Sequence, residues 1–393
     1  MANKETIYIC DDCGNEFPKW SGQCPACKNW NTIRPLQIDT SDPQDFSPTK
    51  SPKTTTPKQT LEKSNFEQQS TQIKELDRVL GGGLTAGSVI LLAGQPGIGK
   101  STLLSQLSIK LSPKSSTLYI CSEENNYQVS KRIKRLSPKS NSDAVKLLET
   151  SSTPDIVKHV QKNHQDLDLL IVDSIQSLTN PGLSSSPGTP SQIRTSAKKL
   201  INLAKSTQLP IILVGHVTKS GTIAGPKLLE HMVDVVLELE GDRHHDLRLL
   251  RGLKNRFGPT DETGLFKMSS KGLKEIQNPG QAFLSDSSHK SPGSALSLIM
   301  EGSRPLLVEI QALTVYSELN IPRRVGQGIS KSKLQLICAV LTKHLNLKLG
   351  QRDVFVNVTG GLNLSDPAAD LAIALAILIS YKDKPLPPNS LSI

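Results

Sequence analysis

Eight consecutive residues, Gly94, Gln95, Pro96, Gly97, Ile98, Gly99, Lys100 and Ser101, have the spacing of a phosphate-binding loop. Glycines there let backbone N–H groups close on a β-phosphate at a helix N-terminus, where the helix dipole favours an anion. Lys100 would reach the β- and γ-phosphates, the Ser101 hydroxyl would ligate Mg2+, and Thr102 would support the α-phosphate. An apolar run, Leu169 to Val172, ends in Asp173. A carboxylate at the carboxyl edge of a sheet, beside such a loop, can hold the magnesium through water. Glu123 and Glu124 follow the run Thr117 to Cys121. One of these acids can face the γ-phosphate and orient the attacking water, although adjacent acids at a strand end also serve as a solvated rim or a helix cap. His216 ends the run Ile211 to Gly215, either as a neutral structural histidine or as a sensor of nucleotide state at that edge. These residue types point to magnesium-dependent chemistry on a nucleotide with a γ-phosphate.

A second constellation is metal-binding. Cys10 and Cys13, then Cys24 and Cys27, form two Cys-x-x-Cys pairs ten residues apart. Each tight turn presents two thiolates to one ion, and two such turns complete a tetrahedral zinc site. With all four positions filled, the site is structural. About thirty residues cannot build a core alone, so the metal supplies the folding free energy. Cys121 and Cys338 lie in apolar runs and read as core residues.

The elements that must position these residues follow from periodicity. Strand-like runs at 88–93, 117–121, 167–172 and 210–215 alternate with helical stretches at 101–111, 125–136 and 192–206. That alternation predicts a parallel sheet covered on both faces, an α/β domain. The runs 233–240 and 247–254 follow without a long helix between them and are expected as a hairpin at the sheet edge. Domain limits are expected at 1–35 for the zinc finger and 36–66 for a Ser/Pro/Lys tether too polar to fold. The ATPase domain is expected at 67–280 and a second, α+β unit at 285–393. That last unit carries strands near 306–312 and 354–358 and helices near 330–345 and 367–380.

Composition bounds the rest. Forty-six Lys and Arg against thirty-six Asp and Glu leave a formal charge of +10, which favours a polyanionic partner such as nucleic acid. Aromatics are 4%, which argues against broad base-stacking platforms. The N-terminus has no apolar core of a secretory signal, and the apolar stretch 371–379 is far below the ~18 residues of a membrane span. A cytoplasmic protein without membrane association is expected.

The nucleotide residues, in this order, resemble a RecA-type ATPase core. The resemblance narrows with the zinc knuckles, the run from Val214 to Asp234, and Lys254, Asn255, Arg256, Phe257 and Gly258 at 254–258. Together they resemble the bacterial RadA (Sms) DNA-repair family over nearly the whole chain apart from the tether. The resemblance implies a hexameric ring, a homo-oligomer that hydrolyses ATP while moving on single-stranded DNA. It also implies branched DNA as substrate, branch migration, and a recombinase of the RecA type as partner. It carries Lys100 and Ser101 over as phosphate and magnesium contacts, Asp173 as the metal-side carboxylate and Glu123 as the water-orienting base. Lys254 and Arg256 would be presented to a neighbour's ATP or to DNA. Lys219 and Lys227, in the Gly-rich loop 217–230, are either DNA-phosphate contacts or solvated lysines, and 182–190 is a companion loop. A nucleotide-gated DNA-binding module without helicase activity is the alternative.

From residue 294 the chain resembles the Lon-protease-like domain that closes these proteins. Ala368 stands where Lon-type proteases carry their Ser, so no peptidase activity is expected. Asp366 and Pro367 look like cap and first-turn residues of the following helix. Seven Lys or Arg and no acid lie between 320 and 352, either a solvated face or a phosphate-binding surface. Relatives are expected to continue beyond Ile393; a truncated piece and a naturally shortened gene both fit.

Overall fold

The computed structural model describes residues 4–10, 16–26, 28–39, 68–112, 115–138, 144–183, 185–216, 226–241, 246–276, 291–364 and 366–386. At the N-terminus, strands β1 (Lys4–Cys10), β2 (Glu16–Phe17) and β3 (Ile33–Asp39) form an antiparallel sheet in the order β2-β1-β3. Pairing runs from Cys10 opposite Ile33 to Lys4 opposite Asp39. The ribbon therefore extends to Asp39, past the boundary expected at residue 35. Polar composition suggested a tether from residue 36, but the backbone of β1 supplies ladder partners as far as Asp39.

The next strands and helices alternate as the sequence predicts. Helix α1 (Lys74–Leu80) precedes β4 (Val89–Gly94), and α2 (Lys100–Leu111), β5 (Thr117–Cys121), α3 (Asn126–Leu136), β6 (Val145–Glu149) and α4 (Thr153–Asn163) follow. Then come β7 (Leu169–Asp173), α5 (Pro190–Thr207), β8 (Ile211–His216), α6 (Pro226–Glu230), β9 (Val235–Glu240), β10 (Leu247–Asn255), β11 (Thr263–Ser269) and β12 (Gly272–Glu275). The sheet order is β12-β11-β10-β9-β4-β8-β7-β5-β6, with parallel pairing from β9 through β4, β8, β7 and β5 to β6. Every residue of β4, β5 and β7 is buried, because helices cover both faces. Val89 and Leu91 join a core with Ile156, Val160 and Leu200 from α4 and α5. Ile90 and Leu92 meet Leu76 from α1 and Leu103 and Leu104 from α2.

Of the expected edge hairpin, the adjacency of β9 and β10 holds and the edge position is corrected. Strand β9 is not at an edge; it pairs in parallel with β4, and the sheet ends at β12. Glu238 and Glu240 give β9 the alternation of a half-exposed strand, yet Val235, Val236, Leu237 and Leu239 are all buried. Strands β6, β11 and β12 were not expected; Lys146 interrupts the apolar run of β6, which lies at the opposite edge.

Helix starts follow local chemistry. Asn125 and Gln128 form a reciprocal capping box for α3, and the Ser152 hydroxyl accepts from Asp155 N–H at the start of α4.

The chain divides into two compact units, one of residues 1–239, 251–260 and 270–273, the other of 240–250, 261–269 and 274–393. The second contains β13 (Ser294–Glu301), β14 (Arg304–Tyr316), β15 (Arg324–Gln327), α7 (Lys331–Leu345), β16 (Arg352–Val358) and α8 (Asp370–Lys382). Its sheet order is β13-β14-β16-β15, with only β15 and β16 parallel among the paired strands described. Leu334, Ile337 and Leu341 of α7 and Ile373, Ala376 and Ile377 of α8 pack with Val308, Ile310, Val354 and Val356. The expected strand 306–312 is the middle of the longer β14, and its hairpin partner β13 was not foreseen. Among the described residues no helix is long and apolar enough to cross a membrane.

Candidate nucleotide site and zinc ribbon

Strand β4 delivers the phosphate-binding loop. At Gly94, with φ of 154°, an added Cβ would stand 2.6 Å from the Leu239 carbonyl, so the close approach of β9 demands glycine. The loop ends at Gly99, and α2 starts at Lys100. Pro96, Gly97, Gly99, Lys100, Ser101 and Thr102 line one wall of a cavity of about 300 Å³. Glu123, Glu124, Arg132, Asp173 and His216 line the remainder. Gln95 and Gly94 contribute carbonyls, accepting from Lys100 Nζ at 3.0 and 2.8 Å, and Ile98 anchors the loop in the core. Burial lowers the Lys100 pKa to about 8, against the opposing pull of Asp173 and Glu123.

Register brings the acids to the same edge. Cys121 pairs with Asp173, and Gly94 pairs with His216. Ser122 and Glu123 N–H groups both donate to the Asp173 carbonyl, at 3.1 and 3.3 Å. The Asp173 carboxylate is buried, and its Oδ2 accepts the Tyr119 hydroxyl at 2.6 Å. Burial and the Asp173 charge raise the Tyr119 pKa, so the phenol stays a donor. Glu123 Oε2 lies 2.9 Å from His216 Nε2 and accepts from the Ser174 hydroxyl at 2.9 Å. Burial pushes the Glu123 pKa up, but those hydrogen bonds and the nearby Lys100 charge win and leave it lowered, so the acid is a carboxylate. Glu124 instead pairs with Arg132 of α3. The two adjacent acids thus have different surroundings.

Sequence reading missed Tyr119, Ser174 and Arg132. Tyr119 lies two residues before Cys121, the register partner of Asp173, and therefore on the same face of the sheet. That signal needs the strand pairing to be known. Arg132 is two helical turns into α3 and has no sequence cue.

The residues fit magnesium and a nucleoside triphosphate. Ser101 and Asp173 supply a hydroxyl and a carboxylate to one cavity that a glycine loop and a lysine also line.

The 254–258 segment lies elsewhere. Lys254 Nζ donates to the carbonyls of Glu230 and Val233, both at 2.7 Å. Arg256 Nη1 meets Asp234 Oδ1 at 3.1 Å, while Asp234 Oδ2 accepts from Val89 N–H at 3.0 Å. Asn255 Nδ2 donates to the Val79 and Leu80 carbonyls at the end of α1, both at 3.2 Å. An added Cβ at Gly258 would stand 2.9 Å from Gly81 Cα, so the two backbones touch. Val89 begins β4 and Asp234 precedes β9, so this segment sits at the amino edge of the parallel strands. The phosphate loop lies at the carboxyl edge, a strand length of about 18 Å away. Lys254 and Arg256 therefore do not line the cavity of their own chain. Lys219 lies outside the described residues. Lys227 falls in α6, but its side chain is not described.

In the ribbon, Cys10 and Cys24, one from each Cys-x-x-Cys pair, are fully buried and packed with Ile33, Tyr8 and Phe17. Neither is in a disulfide. Cys10 Sγ lies 3.1 Å from Thr32 Oγ1, and Lys28 N–H donates to the Cys24 carbonyl at 2.8 Å, closing the second knuckle. Burial of both cysteines in one cluster fits a zinc site; Cys13 and Cys27 lie outside the described residues. Cys121 and Cys338 are buried, as expected for core residues, and burial raises both thiol pKa values, Cys121 to about 12.

In the second unit, Asp366 Oδ1 accepts from Ala368 N–H at 2.9 Å and caps the turn Pro367–Ala369 that enters α8. Several cations of the acid-free stretch have structural partners. Arg324 donates to the Leu349 and Arg352 carbonyls, Lys333 pairs with Asp370 at 2.7 Å, and Arg352 stacks on Tyr381.

Residues 55–222 match an AAA domain and residues 8–35 a rubredoxin metal binding domain. The DNA repair protein RadA of Bacillus subtilis is 43% identical over 99% of this chain and 85% of its own length. That of Haemophilus influenzae is 44% identical over 98% of this chain and 84% of its own. The crystal structure of the RadB recombinase aligns with 53% of this chain and 99% of its own at 20% identity, with a TM-score of 0.43. With the phosphate loop, the ribbon and the 254–258 segment in one polypeptide, and this identity along its length, the chain belongs to the RadA family of DNA repair proteins.

Proposed function

We propose that this chain is a DNA-dependent ATPase of recombination and repair. It hydrolyses ATP to move on single-stranded DNA and drive branch migration as a hexameric ring, in the cytoplasm. The observation that carries this reading is the cavity that gathers Lys100, Ser101, Glu123, Asp173 and His216 at one sheet edge. Lys100 binds the β- and γ-phosphates, while Ser101 and Asp173 hold magnesium, whose chemistry is to neutralise charge between those phosphates. Glu123 orients the attacking water. Glu124 is committed to Arg132, which favours Glu123 for this work. His216, bonded to Glu123, senses the γ-phosphate at the end of β8. Lys254 and Arg256 reach a neighbour's nucleotide, a role that their distance from their own cavity supports. Lys219 and Lys227 contact DNA phosphates. Zinc held by Cys10, Cys13, Cys24 and Cys27 folds the ribbon. The unit at 285–393 is Lon-like and, with Ala368 in the nucleophile position, not a protease.

The test is ATP hydrolysis with and without single-stranded DNA across a salt series, beside mass photometry. Stimulation by DNA, lost in Lys100→Ala with the fold intact, is the expected result. DNA binding without stimulation would replace the motor with a nucleotide-gated DNA-binding module.

A further inference from the structure

The chain has two tryptophans, Trp20 and Trp30, and both lie in the ribbon, 60% and 69% exposed. They flank the second zinc knuckle. Gln23 and Trp30 form an antiparallel bridge, and Asn31 N–H donates to the Gly22 carbonyl at 2.8 Å. Gln23 Nε2 donates to the Lys28 carbonyl at 2.9 Å, and Cys24 N–H to the Asn29 carbonyl at 2.9 Å. Two short arms are thereby held together, one carrying each indole. A Cβ built on Gly22 would lie 3.7 Å from Trp20 Cη2 and 3.8 Å from Trp30 Cζ3. The two rings therefore reach one shared spot, which the glycine leaves open.

Two large aromatic rings kept in water on a tightly hydrogen-bonded scaffold fit a flat ligand better than a core. Charge narrows the choice. From Phe17 to Leu36 the ribbon carries Lys19, Lys28 and Arg34 and no Asp or Glu. All three cations are exposed. Indoles flanked by cations suit a base stacked between π-faces, with its phosphates on the lysines. We infer that Trp20 and Trp30 form a clip that stacks an unpaired base of single-stranded nucleic acid, a contact separate from the ATPase core. Low aromatic content excludes a broad platform but not a two-ring clip. Zinc shapes the clip, because the knuckle closes the turn between its arms.

These being the only tryptophans of the chain, intrinsic fluorescence reads the clip directly. Without nucleotide, label anisotropy is followed as the intact, zinc-loaded protein is added to a labelled oligothymidylate, and tryptophan emission in a matched titration as unlabelled oligothymidylate is added to the protein. The expected result is a fall in emission that tracks the rise in anisotropy. An abasic oligomer of equal length raises anisotropy without that fall. Trp20→Leu and Trp30→Leu, each with zinc content equal to the parent, each weaken binding by at least about fivefold. Trp20→Phe and Trp30→Phe keep a stacking face and most of the affinity. Emission that stays constant while anisotropy saturates overturns the clip and leaves DNA binding by the core intact. Leucine variants that bind like the parent overturn it equally and point to a protein surface. No rise in anisotropy at all overturns both the clip and the DNA-dependent part of the proposed function.

Discussion

Lys100 is a buried cation that satisfies itself on the carbonyls of its own loop and is held near a pKa of about 8. A phosphate in the cavity stabilises the ammonium and raises that value, so the bound state holds more protons above pH 8 than the free state. Nucleotide affinity then falls as pH rises through the window between the two values, by up to about tenfold per pH unit. Titration with a fluorescent ADP from pH 7 to 9.5 checks the sign; affinity that rises over that range would contradict it. Tyr119 makes the second residue-scale case. Its hydroxyl fixes one oxygen of Asp173, and under the proposed function the other would hold magnesium. Tyr119→Phe is expected to raise the magnesium needed for half-maximal hydrolysis by about 10–100-fold, the usual cost of losing an outer-shell partner. ADP binding without metal stays unchanged, which separates this role from damage to the fold.

At the scale of elements, the 254–258 turn is a clamp rather than a loose loop. Asn255 joins it to the end of α1, and Asp234 joins it to the start of β4. Asn255→Ala leaves the Val79 and Leu80 carbonyls without their side-chain donor, at an expected cost of about 1–3 kcal/mol. The urea midpoint measures that loss. The same variant frees the backbone that presents Lys254 and Arg256, so ATP turnover drops while ADP binding by the distant cavity is retained. Turnover equal to the parent would show that the clamp serves stability alone.

At the scale of the whole molecule, the two edges of the sheet impose a constraint. Lys100 and Lys254 lie about a strand length apart in one chain, so a joint site needs two copies. Lys100→Ala and Lys254→Ala are each expected to be inactive as pure proteins. Mixed in equal amounts before assembly of the proposed oligomer, they recover about a quarter of parental turnover, since one junction in four pairs an intact loop with an intact clamp. A mixture as inactive as its components would contradict the trans arrangement.

What the sequence determined by itself was chemistry carried by contiguous motifs. Residues 94–101 need neighbours along the chain to form a loop, and the cysteine pairs need only their own turns to aim two thiols. Continuous apolar runs marked most strands of the parallel core, and periods of three to four residues most of its helices. Tertiary structure decided what depends on register and strand order. Strand β9 was expected in an edge hairpin, yet it pairs with β4 inside the sheet, where Val235, Val236, Leu237 and Leu239 are buried. Pairing of β5 with β7 put Tyr119 on the Asp173 carboxylate, across 54 residues of chain. Folding also separated Glu123 from Glu124, directing one to His216 and the other to Arg132. Local motifs are written in adjacent residues, whereas hydrogen bonds between distant strands exist only once the sheet has chosen its order.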